Sequence, residues 1–126
     1  MSWLSRIFDI KKYFERPLEV LNLITISESA LLYNFDYLKS LSPNVDIFPV
    51  LKSNAYGHGI EQVATILNKR KLSYIVVDSY YEALRVHEVN ATKILLIDYN
   101  LPENYEKMDF DWVTPVVTDL TALEVL

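Results

Sequence analysis

Lys52, Tyr56 and His58 lie in one short segment, and the chain's only two glycines, Gly57 and Gly59, flank the histidine. A primary amine can add to a carbonyl, a phenol can hydrogen-bond an anion, and an imidazole can move a proton or bind a metal. At average usage of roughly 7% glycine, a chain of this length would carry about nine. Both glycines sit here, so this is where the backbone most needs a tight turn or a close approach to a ligand. The preceding residues, Ile47-Phe48-Pro49-Val50-Leu51, form an apolar run that delivers Lys52 to a polar loop. Desolvation at such a strand end favours the neutral amine and makes it a competent nucleophile toward an aldehyde. On composition alone, the better account of Lys52 is a surface lysine snorkelling from a strand end. His58 has neither a second histidine at metal-ligand spacing nor a nearby carboxylate pair, so it reads as a loop-organising hydrogen-bonder. Asn54 likewise reads as a loop-fixing amide. Tyr56 fits either a hydrogen bond to an anion or a ring packed beneath the loop.

The elements that must position this segment alternate in type. Leu21–Ile26 alternates apolar and polar residues well enough to be a strand. Ser27 is suited to cap a helix whose stripe is Leu31, Phe35 and Leu38, ending at the Ser42-Pro43 break. Asp46–Leu51 reads as a near-continuous apolar strand, as expected of a parallel sheet buried on both faces. Pro49 must then sit where its missing amide faces no partner, or the strand is locally irregular. After the glycines, Ile60, Val63, Ala64 and Leu67 share one helical face, and Lys69-Arg70-Lys71 follow as a solvated turn complementing the helix dipole rather than as an anion site. Tyr74–Val77 is a second barrel-type strand with Tyr80–Glu88 as its helix. Lys93–Ile97 is a third, and Trp112–Val117 a fourth, with Asp119 capping a last helix. Such repetition argues for a parallel α/β sheet. Glu82 and Arg85 sit at i, i+3 and read as a surface pair, and His87 has no constellation around it.

Composition sets limits. The 126 residues are 51% apolar, with 12 basic against 17 acidic side chains and a net charge of −5. No clustered basic face suggests nucleic acid as a partner. The absence of cysteine excludes disulfides and thiolate metal sites. No apolar run approaches the roughly 18 residues of a membrane span, so a cytoplasmic protein with neither membrane nor metal is expected. In Met1–Arg16, Trp3, Ile7, Ile10 and Phe14 form a helical stripe among Arg6, Lys11, Lys12 and Arg16. A membrane-surface helix is the functional reading. Asp9 and Glu15 interrupt the basic face, and an extension packing its stripe on the protein, closed at Pro17, is the preferred one.

Lys52-Ser53-Asn54-Ala55-Tyr56-Gly57-His58-Gly59 resembles the cofactor-attachment motif of alanine racemases, K-A-N-A-Y-G-H-G after two or three apolar residues, with Ser53 as the one departure. Asp78–Arg85, Asp-Ser-Tyr-Tyr-Glu-Ala-Leu-Arg, is a weaker likeness, in which Leu84-Arg85 follow Glu82-Ala83 two residues earlier than in the family. The resemblance implies pyridoxal 5'-phosphate as cofactor, Lys52 as the residue that attaches it and later moves a proton on one face of Cα, and Tyr56 as a hydrogen-bonder to its phosphate. It implies a small amino acid as substrate, interconversion of L- and D-alanine for peptidoglycan, and a homodimer of the full-length enzyme. A complete (β/α)8 barrel takes about 250 residues. The expectation is therefore about the first half of a barrel over residues 21–126, truncated, after an extension over residues 1–20. The strand Leu21–Ile26 would belong to the family's second, β domain. The opposing catalytic tyrosine and the remaining cofactor contacts are expected from later segments, so this length alone is expected to be an incomplete enzyme. The alternative is a non-catalytic pyridoxal-phosphate homeostasis protein of the same fold. The Asn54–Gly59 tail and the strand at Leu21–Ile26 speak against it. An inert gene fragment is a third reading.

Overall fold

The computed structural model describes residues 21–126; the amphipathic stretch Met1–Arg16 falls outside them. Helix α1 (Glu28–Leu41) starts where Ser27 Oγ accepts from the Ala30 amide at 3.3 Å and stops before Ser42, as the sequence predicts. Three strands follow, each with a helix after it: β1 (Tyr74–Val77), β2 (Lys93–Leu96) and β3 (Val113–Pro115). They form one parallel sheet in the order β1-β2-β3, with Ile75 opposite Ile94 and Ile94 opposite Val113. The intervening helices are α2 (Ile60–Leu67), α3 (Tyr80–His87), a short α4 (Pro102–Tyr105) and α5 (Leu120–Val125). The last begins where Asp119 Oδ1 accepts from the Ala122 amide at 2.8 Å.

The core lies between one face of the sheet and the helices. Ile75, Val77, Ile94, Leu96 and Val113 meet Ile60, Val63, Ala64, Ala83 and Val86 in a single cluster. All four stripe residues expected of α2 are buried. Burying an aliphatic side chain of this size contributes about 1.5–3 kcal/mol. Asn90 is buried but satisfied: its Nδ2 donates to Ala64 O and its Oδ1 accepts from the Thr92 amide, each at 2.9 Å. His87 lies against Trp112 with ring centroids 4.0 Å apart and planes 8° apart, so its role is packing.

Several sequence expectations are corrected. Leu21–Ile26 is not a strand; it has no ladder partner among the described residues, and Leu21 is 93% exposed. The predicted strand Asp46–Leu51 contracts to one parallel bridge, Val50 to Val76. Pro49 explains part of this. Its carbonyl accepts from the Val76 amide and the Leu51 amide donates to Val76 O, both at 2.8 Å, so the chain pairs only through positions where proline lacks nothing. Leu38, placed on the buried stripe of α1, is exposed. α4 has no counterpart in the sequence reading.

The basic residues after α2 also change meaning. Lys69 Nζ contacts Glu28 Oε1 at 2.6 Å, and Arg70 forks onto Asp36 with Nε–Oδ1 at 2.7 Å and Nη2–Oδ2 at 2.6 Å. They tie α1 to α2 while staying at least partly exposed to solvent. The hydrogen bond from Arg70 holds the Asp36 carboxyl below its ordinary value against an opposing desolvation, with a lesser contribution from the Arg70 charge. A depressed folded pKa stabilises above the unfolded value, and that stabilisation disappears as pH falls through the folded one. Asp36→Asn should therefore lower the urea midpoint at about pH 7 and leave it unchanged relative to wild type near about pH 2.

Tyr105 is buried, and its hydroxyl has no hydrogen-bond partner among the described residues. Burial, then the nearby Asp119 and Tyr99, push its pKa upward, so it stays a neutral phenol. An unsatisfied buried hydroxyl costs about 1–3 kcal/mol. Tyr105→Phe should raise unfolding stability by about 1 kcal/mol in urea denaturation.

Candidate functional site

The site begins where the Val50 bridge ends. Leu51 is buried, and Lys52 opens a five-residue helical turn, Lys52–Tyr56. This turn is wound left-handed. Ser53, Asn54 and Ala55 have φ/ψ of 54°/49°, 56°/45° and 53°/48°, and Tyr56 has φ 53°. L-residues in that conformation cost about 1–2 kcal/mol each, because Cβ crowds the following carbonyl oxygen. Nothing in the pattern of side chains announces such a turn, and the sequence reading did not anticipate it.

Hydrogen bonds and burial hold it. The Ala55 amide donates to Leu51 O at 2.7 Å, the Gly57 amide to Ser53 O and Asn54 O at 3.1 Å, and the Gly59 amide to Asn54 O at 3.0 Å. Ala55 is 4% exposed and fastens the turn to the core. Asn54 Oδ1 accepts from the Ile60 amide at 3.0 Å, satisfying the first donor of α2, whose N-cap Gly59 has no side chain to do so. His58 Nδ1 donates to Ala55 O at 2.8 Å. Asn54 and His58 are thus the loop-fixing groups the sequence suggests. Tyr56 is 61% exposed, which rules out a ring packed beneath the loop.

Parallel strands place all their C-terminal ends on one side, so Lys52 and the residue after β1, Asp78, come together. Lys52 Nζ lies 3.6 Å from Asp78 Oδ1, with the two side chains 37% and 27% exposed. Asp78 has no site role in the sequence reading, although it follows an apolar run just as Lys52 does. Glu82, read there only as a surface partner of Arg85, is the second such residue. Its Oε1 accepts from the Asn54 amide at 2.9 Å and its Oε2 from the Asp78 amide at 3.4 Å. The expected Glu82–Arg85 pair does not form. Arg85 turns to α2 instead, with Nε 2.9 Å from Glu61 Oε1, a bond that raises its already high pKa.

A lysine at the C-terminal edge of a parallel sheet, on a constrained turn closed by a glycine, fits one class of fold: a portion of an α/β barrel. Residues 26–126 match the family model for the alanine racemase N-terminal domain, and the chain belongs to that family. It is 35% identical over 96 residues to an alanine racemase of Staphylococcus carnosus, covering 75% of this chain and 24% of that protein. Over 75 residues it is 40% identical to an alanine racemase of Leptospira interrogans, covering 59% of this chain and 19% of the relative. Among solved structures, an alanine racemase from Oenococcus oeni superposes with a TM-score of 0.70 at 26% identity, over 79% of this chain and 29% of that one. The chain thus spans about a quarter of the length of the curated relatives it matches. Its fold is α/β, a partial barrel of the type those structures have.

The two glycines separate by geometry. Gly57, at φ 86° and ψ 0°, closes the left-handed turn, and a Cβ there would meet open space. Gly59, at φ 93° and ψ 106°, is in a region that side chains rarely enter, and a Cβ would collide with the Gln62 side chain. Gln62 can swing away, so backbone strain sets the cost. Gly59→Ala should destabilise by about 1–3 kcal/mol, and Gly57→Ala by about 1–2 kcal/mol, read as the difference in urea midpoints.

Proposed function

We propose that this chain is the lysine-bearing portion of a pyridoxal-phosphate-dependent amino-acid racemase of the alanine racemase kind, with residues 21–126 as barrel and residues 1–20 as an extension. The observation that carries the reading is the presentation of Lys52 Nζ at the strand ends by a turn that tolerates left-handed strain. Backbone strain concentrates where function demands a particular geometry. The residues fit the cofactor: the lysine side chain is accessible, and Tyr56 extends from the same turn into solvent.

When bound, pyridoxal phosphate supplies an electron sink for negative charge at an amino acid's Cα. Lys52 Nζ would hold the cofactor and, as the free amine, would move a proton at Cα on one face, with the Asp78 carboxylate 3.6 Å away orienting that amine. Tyr56 Oη would donate to the phosphate. Racemisation also requires proton transfer on the opposite face, and we place that second base outside residues 21–126, in a homodimer of the whole protein. Alanine is the substrate we assign, by likeness to the named relatives, and supply of D-alanine to peptidoglycan is the role that follows.

The test is direct. The chain is incubated with pyridoxal phosphate and reduced with borohydride, and the modified peptide is identified by mass spectrometry. The expected label is confined to Lys52 and lost in Lys52→Ala. A label spread over the surface lysines and indifferent to that substitution rejects the assignment.

A further inference from the structure

We propose that Glu82 is the positioning residue for Lys52, acting from the second strand–helix unit on the strained turn of the first; its functional meaning rests on the reading of Lys52 given above. The amides of Ala55, Gly57, His58 and Gly59 all find acceptors within the segment Leu51–Ala55. The Asn54 amide is different. It points out of the turn to a carboxylate 28 residues further along the chain, Glu82 Oε1 at 2.9 Å. A backbone N–H on a carboxylate is a charge-assisted bond, roughly twice as strong as a neutral one. It falls in the middle of four consecutive left-handed residues, where the backbone gains most from an external restraint.

The other oxygen of the same carboxylate faces the Asp78 amide at 3.4 Å. Asp78 carries the counter-charge to Lys52. One side chain therefore holds the Asp78 amide and the Asn54 amide two residues after Lys52, an oxygen for each. Glu82 is itself anchored, since its amide donates to Ser79 Oγ at 3.2 Å in the first turn of α3. The neighbouring cation Arg85 does not draw Glu82 away, because it is engaged with Glu61. An aspartate at this position is one methylene too short to span the gap. A glutamine keeps the reach but offers a single acceptor oxygen.

These differences set the experiment. Amide hydrogen exchange at Asn54 and Asp78 is measured in the wild-type chain, Glu82→Asp and Glu82→Gln, with exchange at Ile75 and Ile94 reporting an intact core. In parallel, each lysine's reactivity is followed against pH by trace reductive methylation with formaldehyde and cyanoborohydride, with Lys93 and Lys107 as internal references. Glu82→Asp should speed Asn54 exchange by about three- to tenfold and displace the Lys52 profile relative to the references. Glu82→Gln should keep one of the two amides protected, release the other, and hold Lys52 closer to wild type. A folded Glu82→Asp with Asn54 exchange and the Lys52 profile unchanged overturns the proposal. If Glu82→Asp does not fold, Glu82→Gln decides: neither amide released overturns it, and one released supports it. No pyridoxal phosphate enters these measurements. A missing cofactor adduct at Lys52 with a positive Glu82 result rejects only the cofactor reading, and the reverse pattern rejects only the positioning role.

Discussion

The arrangement depends on a left-handed turn made by residues with side chains. A right-handed turn after Leu51 would continue the usual strand-to-helix path and carry the residues after Lys52 elsewhere. The observed turn costs on the order of several kcal/mol across Ser53–Tyr56, and every neighbouring feature opposes that cost. Leu51 and Ala55 are buried beneath it, Asn54 bonds through amide, carbonyl and side chain, and Gly57 and Gly59 absorb the exit angles. Alanine at position 55 suits the packing, since it is nearly inaccessible against the core.

The sheet supplies the platform. Val50 is joined to β1 by a single bridge, yet that bridge is enough to align the Lys52 turn with the end of β1. Because the strands are parallel, the loops that leave them share one edge, and side chains distant in sequence become neighbours there. Lys52 and Asp78 meet in this way, and so do Asn54 and Glu82. On the helix layer, Arg70 with Asp36, Lys69 with Glu28 and Arg85 with Glu61 join elements together. Exposed pairs of this kind contribute little individually, and their part is to set how α1, α2 and α3 lie against one another.

The Lys52 turn is thus tied to the second strand–helix unit. β1 supplies Asp78 through its C-terminal end, and α3 supplies Glu82 through its first turn. A substitution that shifts α3 against α2 would reach Lys52 through the Asn54 amide without touching the lysine. This is the physical content of bracing a loop from rigid elements.

The sequence by itself determined the elements whose signals are local. Tyr74–Val77 and the buried stripe Ile60, Val63, Ala64 and Leu67 appear where their periodicity puts them, and Ser27 and Asp119 cap the helices they precede. The motif Lys52–Gly59 was legible too, because unusual residues at fixed spacing need no tertiary context to be noticed. Pairing was not legible. Leu21–Ile26 and Asp46–Leu51 both carry strand patterns, but a strand exists only with a partner, and for Leu21–Ile26 the described residues provide none. The handedness of the turn was equally hidden, since of Ser, Asn, Ala and Tyr only Asn enters that region with any ease, and burial and long-range hydrogen bonds impose it. Asp78 and Glu82 join the site for the same reason. Their proximity to Lys52 is created by the parallel register of Val50 with Val76, a contact that only the folded chain contains.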